Sequence, residues 1–343
     1  MSSVIAPAAV DAINFLIPAF IFALLALALN LQWGHTGLFN AGIAGFWAVG
    51  AYTTAIMLTP RSPPSFSYPG HIGGFDQSFA VAALVAMLIT AFLGCVLILP
   101  ILRLRADYFA ISTLAFSEII RLVFNSAESL TGGSLGIFSI PRPFDGFLSV
   151  TSSGNVDPGL SDLTLMAFGG LLVLLALAAL EYVTNSSWGR VLRGIREDDV
   201  AALAAGKHVA SFQLQAMVLG SAIMGLAGSL FAVYTRVVIP DQFDPLSTFT
   251  IYVMVILGGS ANNRGVILGA FLFYFLDWIS VRLKDYIPVT MAGGFGDFLR
   301  YFVANIAYFR LMIIGLILIL LILYRPQGIF KERKHVRPPV TGP

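Results

Sequence analysis

Long apolar stretches alternate with short polar ones along the whole chain, and most are long enough to cross a membrane. A helix rises about 1.5 Å per residue, so about 20 apolar residues cover the hydrocarbon core of a bilayer. The pattern predicts about nine membrane helices, or about eight to ten, since the second and seventh could be broken or re-entrant. Their ranges are 13–31, 38–58, 79–101, 108–124, 163–184, 217–234, 248–257, 266–281 and 306–323. We therefore expect an all-α polytopic membrane bundle.

The polar segments predict loops rather than domain boundaries. Range 125–162 is rich in Gly, Ser and Pro, which is typical of a loop, and we expect it to fold outside the membrane. Range 185–211 predicts a cytoplasmic loop, and 325–343 predicts a basic cytoplasmic tail. We interpret residues 1–343 as one transmembrane domain with its membrane core at 13–324.

Basic residues are distributed unevenly between the predicted loops. With the tail inside, the inner segments hold about twice as many Lys and Arg residues as the outer ones, which agrees with the positive-inside rule. The bias predicts an N-terminus outside and a C-terminus inside the cell.

Small residues recur at helical spacing in the second and sixth predicted spans. Such a face lets two membrane helices approach closely. The residues that we assign to helix packing are Ala41, Ala44, Ala48, Ser221, Gly225 and Gly228. For the glycines, an alternative is that thin walls leave room for a substrate path.

The most polar stretch lies between the fifth and sixth spans. Its sequence is WGRVLRGIREDDVAALAAGKHVASFQLQ, from Trp188 to Gln215. Good helix formers and N-cap residues predict a short surface helix from Asp198 to Ala205. Its small alanines would fit a groove on another protein, and the alternative is a solvated loop between two membrane helices.

Composition excludes several classes of protein. The chain is 57% hydrophobic and 11% charged, against about 25% charged residues in soluble domains. A net charge of +2 does not favour nucleic-acid binding. One cysteine, Cys95, and four scattered histidines provide no metal-binding spacing. No G-x-x-x-x-G-K-[ST] loop is present, so we do not expect the chain to be an ATPase, or an enzyme of any other kind.

Residues in and between the first two predicted spans are candidates for a translocation path. The polar ones are Gln32, His35, Thr36, Asn40 and Thr53, and Gly42 and Gly45 join them as thin walls beside a path, with close helix packing as the alternative for the glycines. For the polar residues, the alternative is that they satisfy backbone groups where the first two spans meet inside the membrane. Glu118 and Arg121 are three residues apart on one helical face, and we interpret them as a structural pair, with gating as the alternative. Asp277 and Arg310 are a further candidate pair.

Several blocks together resemble the permeases of branched-chain amino acid ABC importers, in particular the longer of their two homologous permeases. The blocks are LQWGHTGLFNAGIAGFWAVGAY (31–52), RADYFAISTLAFSEIIR (105–121), 189–206, GLAGSLFAVYTRVVIPDQFDP (225–245), GGSANNRGVILG (258–269) and YRPQGIF (324–330). The polar loop is also similar to the E-A-A-x-x-x-G coupling loop of ABC importers. Ala201, Ala202 and Gly206 keep that spacing, but Val200 stands at the Glu position and the I-x-L-P end is absent.

The resemblance implies a function and a set of partners. The partners are a homologous permease, two cytoplasmic ATPase subunits that use ATP and Mg, an extracytoplasmic substrate-binding protein and the lipid of the inner (cytoplasmic) membrane. This chain is expected to bind no cofactor of its own. The coupling residues implied are Arg190, Arg193, Arg196, Glu197, Asp198, Asp199, Ala201, Ala202 and Gly206, with the charged ones forming salt bridges to an ATPase.

Three alternatives stay open. One has the same architecture but carries urea or short amides. The second is a secondary transporter driven by an ion gradient, and the third is a channel or purely structural membrane protein.

Overall fold

Eleven α-helices are seen in a computed structural model of the protein, which describes residues 7–60, 70–101, 106–143, 158–286, 312, 315–316, 319–320, 323–324 and 328–330. The helices are α1 (Pro7–Leu29), α2 (Ile43–Leu58), α3 (Phe79–Ile101), α4 (Ala106–Ser126), α5 (Glu128–Thr131), α6 (Pro158–Asn185), α7 (Ser187–Glu197), α8 (Asp199–Ala204), α9 (Val209–Thr235), α10 (Pro245–Gly258) and α11 (Asn263–Tyr286). The predicted ninth span, Arg310, the outer segment 282–305 and the basic tail lie wholly or mostly outside the described residues.

Within the described residues, five helices are long and apolar enough to cross a membrane. They lie at Asp11–His35, Phe79–Pro100, Tyr108–Ser126, Leu160–Asn185 and Val209–Thr235, and Ile43–Leu58 is a shorter apolar helix. The protein is therefore an all-α polytopic membrane protein.

The two strands are short, and their pairing connects the loop after α5 to the end of α9. Strand β1 (Ile137–Phe138) pairs antiparallel with β2 (Val237–Val238), with Ile137 opposite Val238. Arg236, which has a φ of 60°, ends α9 and turns the chain into β2.

The centre of the bundle is the contact between α2 and α9, with α1 and α3 packed against α9 and α4 against α2. Nearly all residues of α2 are buried. A Cβ atom at Gly50 would lie 2.6 Å from the Cα of Gly225, and one at Gly228 would lie 2.6 Å from the backbone N of Ala51. Only glycine fits these positions, because backbone rather than a movable side chain occupies the space.

Several helix boundaries differ from the sequence-based expectation: the sixth span, α9, begins at Val209 rather than 217, within the range predicted as a cytoplasmic loop. Two further differences lie where α1 meets α2. The first span does not stop at residue 31 but continues as a π-helix over Asn30–His35. The second span begins at Ile43 rather than 38, because Gly37 has a φ of 81° and the Asn40 side chain accepts the Gly42 amide at 2.8 Å. A side chain that bonds its own backbone competes with helix formation.

We predict that Gly228→Ala destabilises the bundle. The new methyl group meets backbone of α2, and overpacking of this kind costs about 1–3 kcal/mol. The matched control is Gly194→Ala, since nothing lies within 4 Å of a Cβ at Gly194 in α7; it should stabilise by about 0.5–1 kcal/mol. Thermal unfolding in detergent compares the two variants, and equal midpoints would contradict the packing assignment.

Candidate functional site

The non-helical segment between α1 and α2, Thr36 to Gly42, runs through the protein interior. Among its residues only Gly37 is exposed, and Thr36, Asn40 and Ala41 are buried. In an apolar environment each backbone N–H and C=O needs a partner inside the protein. The hydrogen bonds of this segment therefore determine whether it is stable there.

Side chains from other helices supply several of these bonds. The Ala41 amide donates to Oγ1 of Thr113 on α4 at 2.9 Å, and the Ala44 amide donates to Oγ1 of Thr248 on α10 at 3.2 Å. The hydroxyl of Tyr252 donates to the Asn40 carbonyl at 3.0 Å. The segment is thus held on the α4 side and on the α10 side at once.

Gln32 and Asn40 join the segment to α9. The Asn40 amide nitrogen donates to Oε1 of Gln32 at 2.8 Å, and the Gln32 amide nitrogen donates to the Met217 carbonyl at 3.1 Å. Both amide side chains are completely buried. Gly220 is close by on α9, where a side chain would meet the Gln32 amide.

A second buried polar cluster lies around Asn263, at the start of α11. Its Oδ1 accepts from Nδ2 of Asn30 at 2.8 Å and contacts Nε2 of His35 at 3.3 Å. Its Nδ2 donates to Oγ1 of Thr184 at 3.3 Å. Oδ1 of Asn30 in turn accepts the Ala261 amide at 2.8 Å. Three helices, α1 with its π-helical end, α6 and α11, therefore meet at one asparagine.

Helix α7 lies next to the π-helix that contributes to these two clusters, and α8 follows it along the chain. Helix α7 is amphipathic and buries Gly189, Leu192 and Ile195, and the Ser186 side chain caps its first turn. Asp198 is extended, with φ −159° and ψ 106°, so it ends α7, and its side chain caps α8 through the Ala201 amide. The predicted surface helix is present as α8, and a second helix that the sequence analysis did not separate precedes it.

Two of the predicted coupling arginines bond to this chain itself. Arg196 donates to the carbonyl of Gly34 at 2.6 Å and to Glu197 at 2.8 Å, and Arg193 donates to the carbonyl of Thr184 at 3.3 Å. The remaining predicted coupling residues are mostly exposed: Arg190, Glu197, Asp198, Asp199, Ala201, Ala202 and Gly206. Gly206 has a φ of 74° and open space around it.

A cleft of about 550 Å³ separates α8 from the bundle. Phe39 and Phe109 line it from the bundle, Asp198 and Leu203 from the side of α8, and Gln213 from α9. Helix α8 is consequently joined to the bundle mainly through α7 and the start of α9.

The other predicted residues fall into packing contacts. A Cβ at Gly45 would lie 2.8 Å from the Cα of Ser117 on α4, and Gly42 lies against Thr113. Thr53 is half-buried. Ala41, Ala44, Ala48 and Ser221 are buried, and so are Gly225 and Gly228. Gln32, His35, Thr36 and Asn40 all lie at the break between α1 and α2.

Glu118 and Arg121 form an ion pair on α4, with a closest contact of 2.5 Å. Arg121 also contacts Asp241, in the short 3-10 turn Pro240–Gln242, at 3.0 Å. Both partners of the pair are partly exposed. The three residues link α4 to the turn between β2 and α10.

Sequence reasoning missed several residues of the two buried clusters. Asn30, Thr113, Thr184, Thr248, Tyr252 and Asn263 are buried and bonded to the segment or to its neighbours. The available signal was an amide or hydroxyl inside an otherwise apolar run, which is costly unless it has a partner. Within the described residues, no group of three or more His, Cys, Asp or Glu residues is placed to hold a metal ion.

Comparison with known proteins identifies the family. The family model of the branched-chain amino acid transport system permease component matches residues 12–323. The chain belongs to this family. No solved structure matches it significantly.

The similar curated proteins are permeases of the same systems. The high-affinity branched-chain amino acid transport system permease protein LivM of Salmonella typhimurium is 30% identical over 327 residues, covering 90% of this chain and 67% of that protein. A probable LivM of Methanocaldococcus jannaschii is 28% identical and covers 96% of both chains. LivH of Salmonella typhimurium is 22% identical over 79% of this chain. The chain is thus more similar to LivM, the longer permease, than to LivH.

We predict that Asn263→Ala destabilises the protein by about 1–3 kcal/mol, because it leaves the buried amide of Asn30 and the ring of His35 without their shared acceptor. The matched control is Gln77→Ala, which removes an exposed amide that bonds the nearby Phe75 carbonyl. Chemical denaturation in detergent micelles measures both. An effect of Asn263→Ala no larger than that of the control would contradict the assigned role of the cluster.

Proposed function

We propose that this chain is a permease subunit of an ATP-binding-cassette importer for branched-chain or other neutral amino acids. Paired with a homologous permease, it would form the translocation path in the inner membrane. Two separate cytoplasmic ATPases would drive it with ATP and Mg, and an extracytoplasmic binding protein would deliver the substrate. Membership of the permease family supports the transport role, and the similarity to LivM supports the substrate class.

The observation that carries the ATPase-driven mechanism is helix α8. It is six residues long, none of its residues is buried, and Val200 and Leu203 are 69% and 56% exposed. An apolar pair on a short capped helix, within the most polar loop of the chain, is a surface that a protein partner would cover. The Asp198 cap and the positive φ of Gly206 fix both ends of α8.

The exposed apolar sides of α3, α4 and α6 favour contact with lipid or the homologous permease. Helix α3 exposes Leu84, Leu88 and Phe92, each more than half accessible, and α6 exposes Leu171, Leu174 and Leu175. Leucine-rich surfaces of this kind are expected of a bundle in a bilayer, where lipid tails are as apolar as leucine.

The proposed transport cycle needs no bond chemistry on this chain. The binding protein docks on the outer segments 125–162 and 282–305 and releases substrate to the permease pair. ATP binding to the partner subunits moves α7 and α8. The permease then exchanges its outward- and inward-facing states, because ATP and the substrate each bind the two states with different affinity. Hydrolysis resets the system.

Two rival functions make different predictions. An importer of urea or short amides shares the architecture, and the binding protein of the system separates it from an amino acid importer. An ion-coupled carrier needs no partner, so the chain alone in liposomes would take up substrate down an imposed ion gradient. If uptake requires the ATPases, the binding protein and ATP, the result supports the importer.

We predict that the double variant Val200→Glu, Leu203→Glu loses its ATPase subunits. The new carboxylates would have to be desolvated in the interface, which is costly without partners. Co-purification through a tag on the permease measures the loss, and we expect at least a tenfold fall, on the order of 1.4 kcal/mol or more. The control is Phe75→Glu, at an apolar residue that is 52% exposed and lies on the opposite side of the predicted membrane. Equal recovery of ATPase from both variants would contradict the docking role of α8.

The predicted orientation is tested by labelling single cysteines. Cys95 is the only cysteine, so Cys95→Ala provides a background for Lys207→Cys and Gln77→Cys, both at exposed positions. In intact cells a membrane-impermeant maleimide should label position 77 and not position 207. The reverse pattern would contradict the N-out, C-in topology.

A further inference from the structure

At the π-helical end of α1, another helix donates a hydrogen bond to the carbonyl of Gly34. In Asn30–His35 and the turn that follows, the Leu31 carbonyl accepts from Oγ1 of Thr36 at 2.9 Å. The Gln32 and Trp33 carbonyls accept from the Leu38 and Gly37 amides, both at 2.9 Å. These three bonds are local. The Gly34 carbonyl accepts instead from Arg196 on α7, at 2.6 Å.

Space around this contact is closely filled. A Cβ at Gly37 would lie 3.3 Å from Cγ and 3.4 Å from Cα of Arg196, so α7 rests directly on the turn after the π-helix. On the other side, a Cβ at Gly34 would lie 2.7 Å from the Ala261 backbone nitrogen. The π-helix is therefore confined between α7 and the loop that precedes α11.

From Gly34 the contacts lead to the centre of the bundle. Gln32, two residues earlier, bonds Asn40 and the Met217 carbonyl of α9, and the Asn40 carbonyl bonds Tyr252 of α10. Toward the cytoplasm, Arg196 is separated from α8 only by Glu197 and Asp198. One side chain thus connects the exposed helix α8 to the buried polar contacts of α1, α9 and α10.

Helix α8 has few other direct connections to this region. The cleft of about 550 Å³ lies between α8 and the segment 36–39. Arg193 bonds the Thr184 carbonyl at the end of α6, the helix that directly precedes α7, and therefore strengthens a local turn. Single π-helical turns are commonly found at functional sites, and packed elements shift between discrete arrangements rather than deform continuously.

We infer that Arg196 is a positioning residue: by holding the Gly34 carbonyl it transmits the movement of α7 and α8 to the π-helical end of α1, and so couples nucleotide hydrolysis to transport. This inference rests on the proposed function. It assigns Arg196 a role within the permease and not in the contact with the ATPase, which α8 supplies.

The test uses the assembled importer, with its second permease, ATPases and binding protein, in liposomes loaded with ATP. Arg196→Gln and Arg196→Lys are compared with wild type for ATPase recovery, ATP hydrolysis and uptake of labelled leucine. The control is Arg264→Gln, an arginine on the same side of the predicted membrane whose side chain pairs with Glu181 on α6 at 2.6 Å and not with the Gly34 carbonyl.

For Arg196→Gln we expect full ATPase recovery and continued hydrolysis, with leucine uptake per ATP falling about tenfold or more, as expected for loss of a hydrogen bond from a charged donor. Arg196→Lys should be intermediate, because its ammonium reaches the carbonyl but cannot reproduce the fork that also holds Glu197. The control Arg264→Gln should keep the wild-type ratio of leucine uptake to ATP hydrolysis. Because uptake is divided by hydrolysis, the result does not depend on how much variant assembles, and Arg196→Lys carries the test if the glutamine variant fails to fold.

Two results would overturn the inference. If both variants keep the wild-type ratio of leucine uptake to ATP hydrolysis, the contact between Arg196 and the Gly34 carbonyl does not transmit the movement of α7 and α8. Loss of ATPase from Arg196→Gln means that Arg196 belongs to the docking surface. A wild-type chain that recruits no ATPase removes the proposed function as well, and that failure is recognised before any variant is made.

Discussion

Non-helical backbone in an apolar bundle must find its hydrogen bonds inside the protein, and this constraint shapes the site between α1 and α2. The segment from Thr36 to Gly42 interrupts two apolar helices, and all of its residues except Gly37 and Phe39 are buried. Thr113 and Tyr252 approach from other helices and bond its backbone, and Thr248 bonds the first turn of α2 through the Ala44 amide. The need for these bonds explains why polar side chains are found in otherwise apolar spans. It also fixes the relative positions of α1, α2, α4 and α10.

Glycine contacts and polar contacts have different roles in this arrangement. Gly50, Gly225 and Gly228 bring α2, α3 and α9 into close contact and form the rigid centre. The amides of Asn30, Gln32, Asn40 and Asn263 join that centre to helix ends near the cytoplasmic loop. Helices α7 and α8 lie beyond these amides, with α8 exposed and α7 bonded through Arg196. A partner that moves α8 would therefore act first on hydrogen bonds and only then on the packed centre.

Much of the fold follows from the sequence, because apolar length and small-residue spacing are local signals. The predicted third span has the same bounds as α3, 79–101, and the surface helix predicted after Asp198 is α8. The helix break at 36–42 was harder to predict. Its residues are apolar enough to continue a span, and the break depends on the distant partners Thr113 and Thr248. The role of Arg196 could not be predicted either. The sequence of a charged loop does not indicate that one of its arginines bonds a backbone carbonyl 162 residues earlier. The resemblance to a permease family gave the function class, and the assignment of particular residues to substrate or ATPase contact stays a prediction.

Hydrogen exchange of the amides between Gly37 and Gly42 tests the central claim most directly. The amides of Gly37, Leu38, Asn40, Ala41 and Gly42 all donate to protein acceptors, at 2.8–3.0 Å. In the purified protein, measured by mass spectrometry or NMR, they should exchange as slowly as those of α2, because exchange then requires the bundle to open. Exchange as fast as that of the exposed residues 74–78 would show that the segment is solvated, and the account would be wrong.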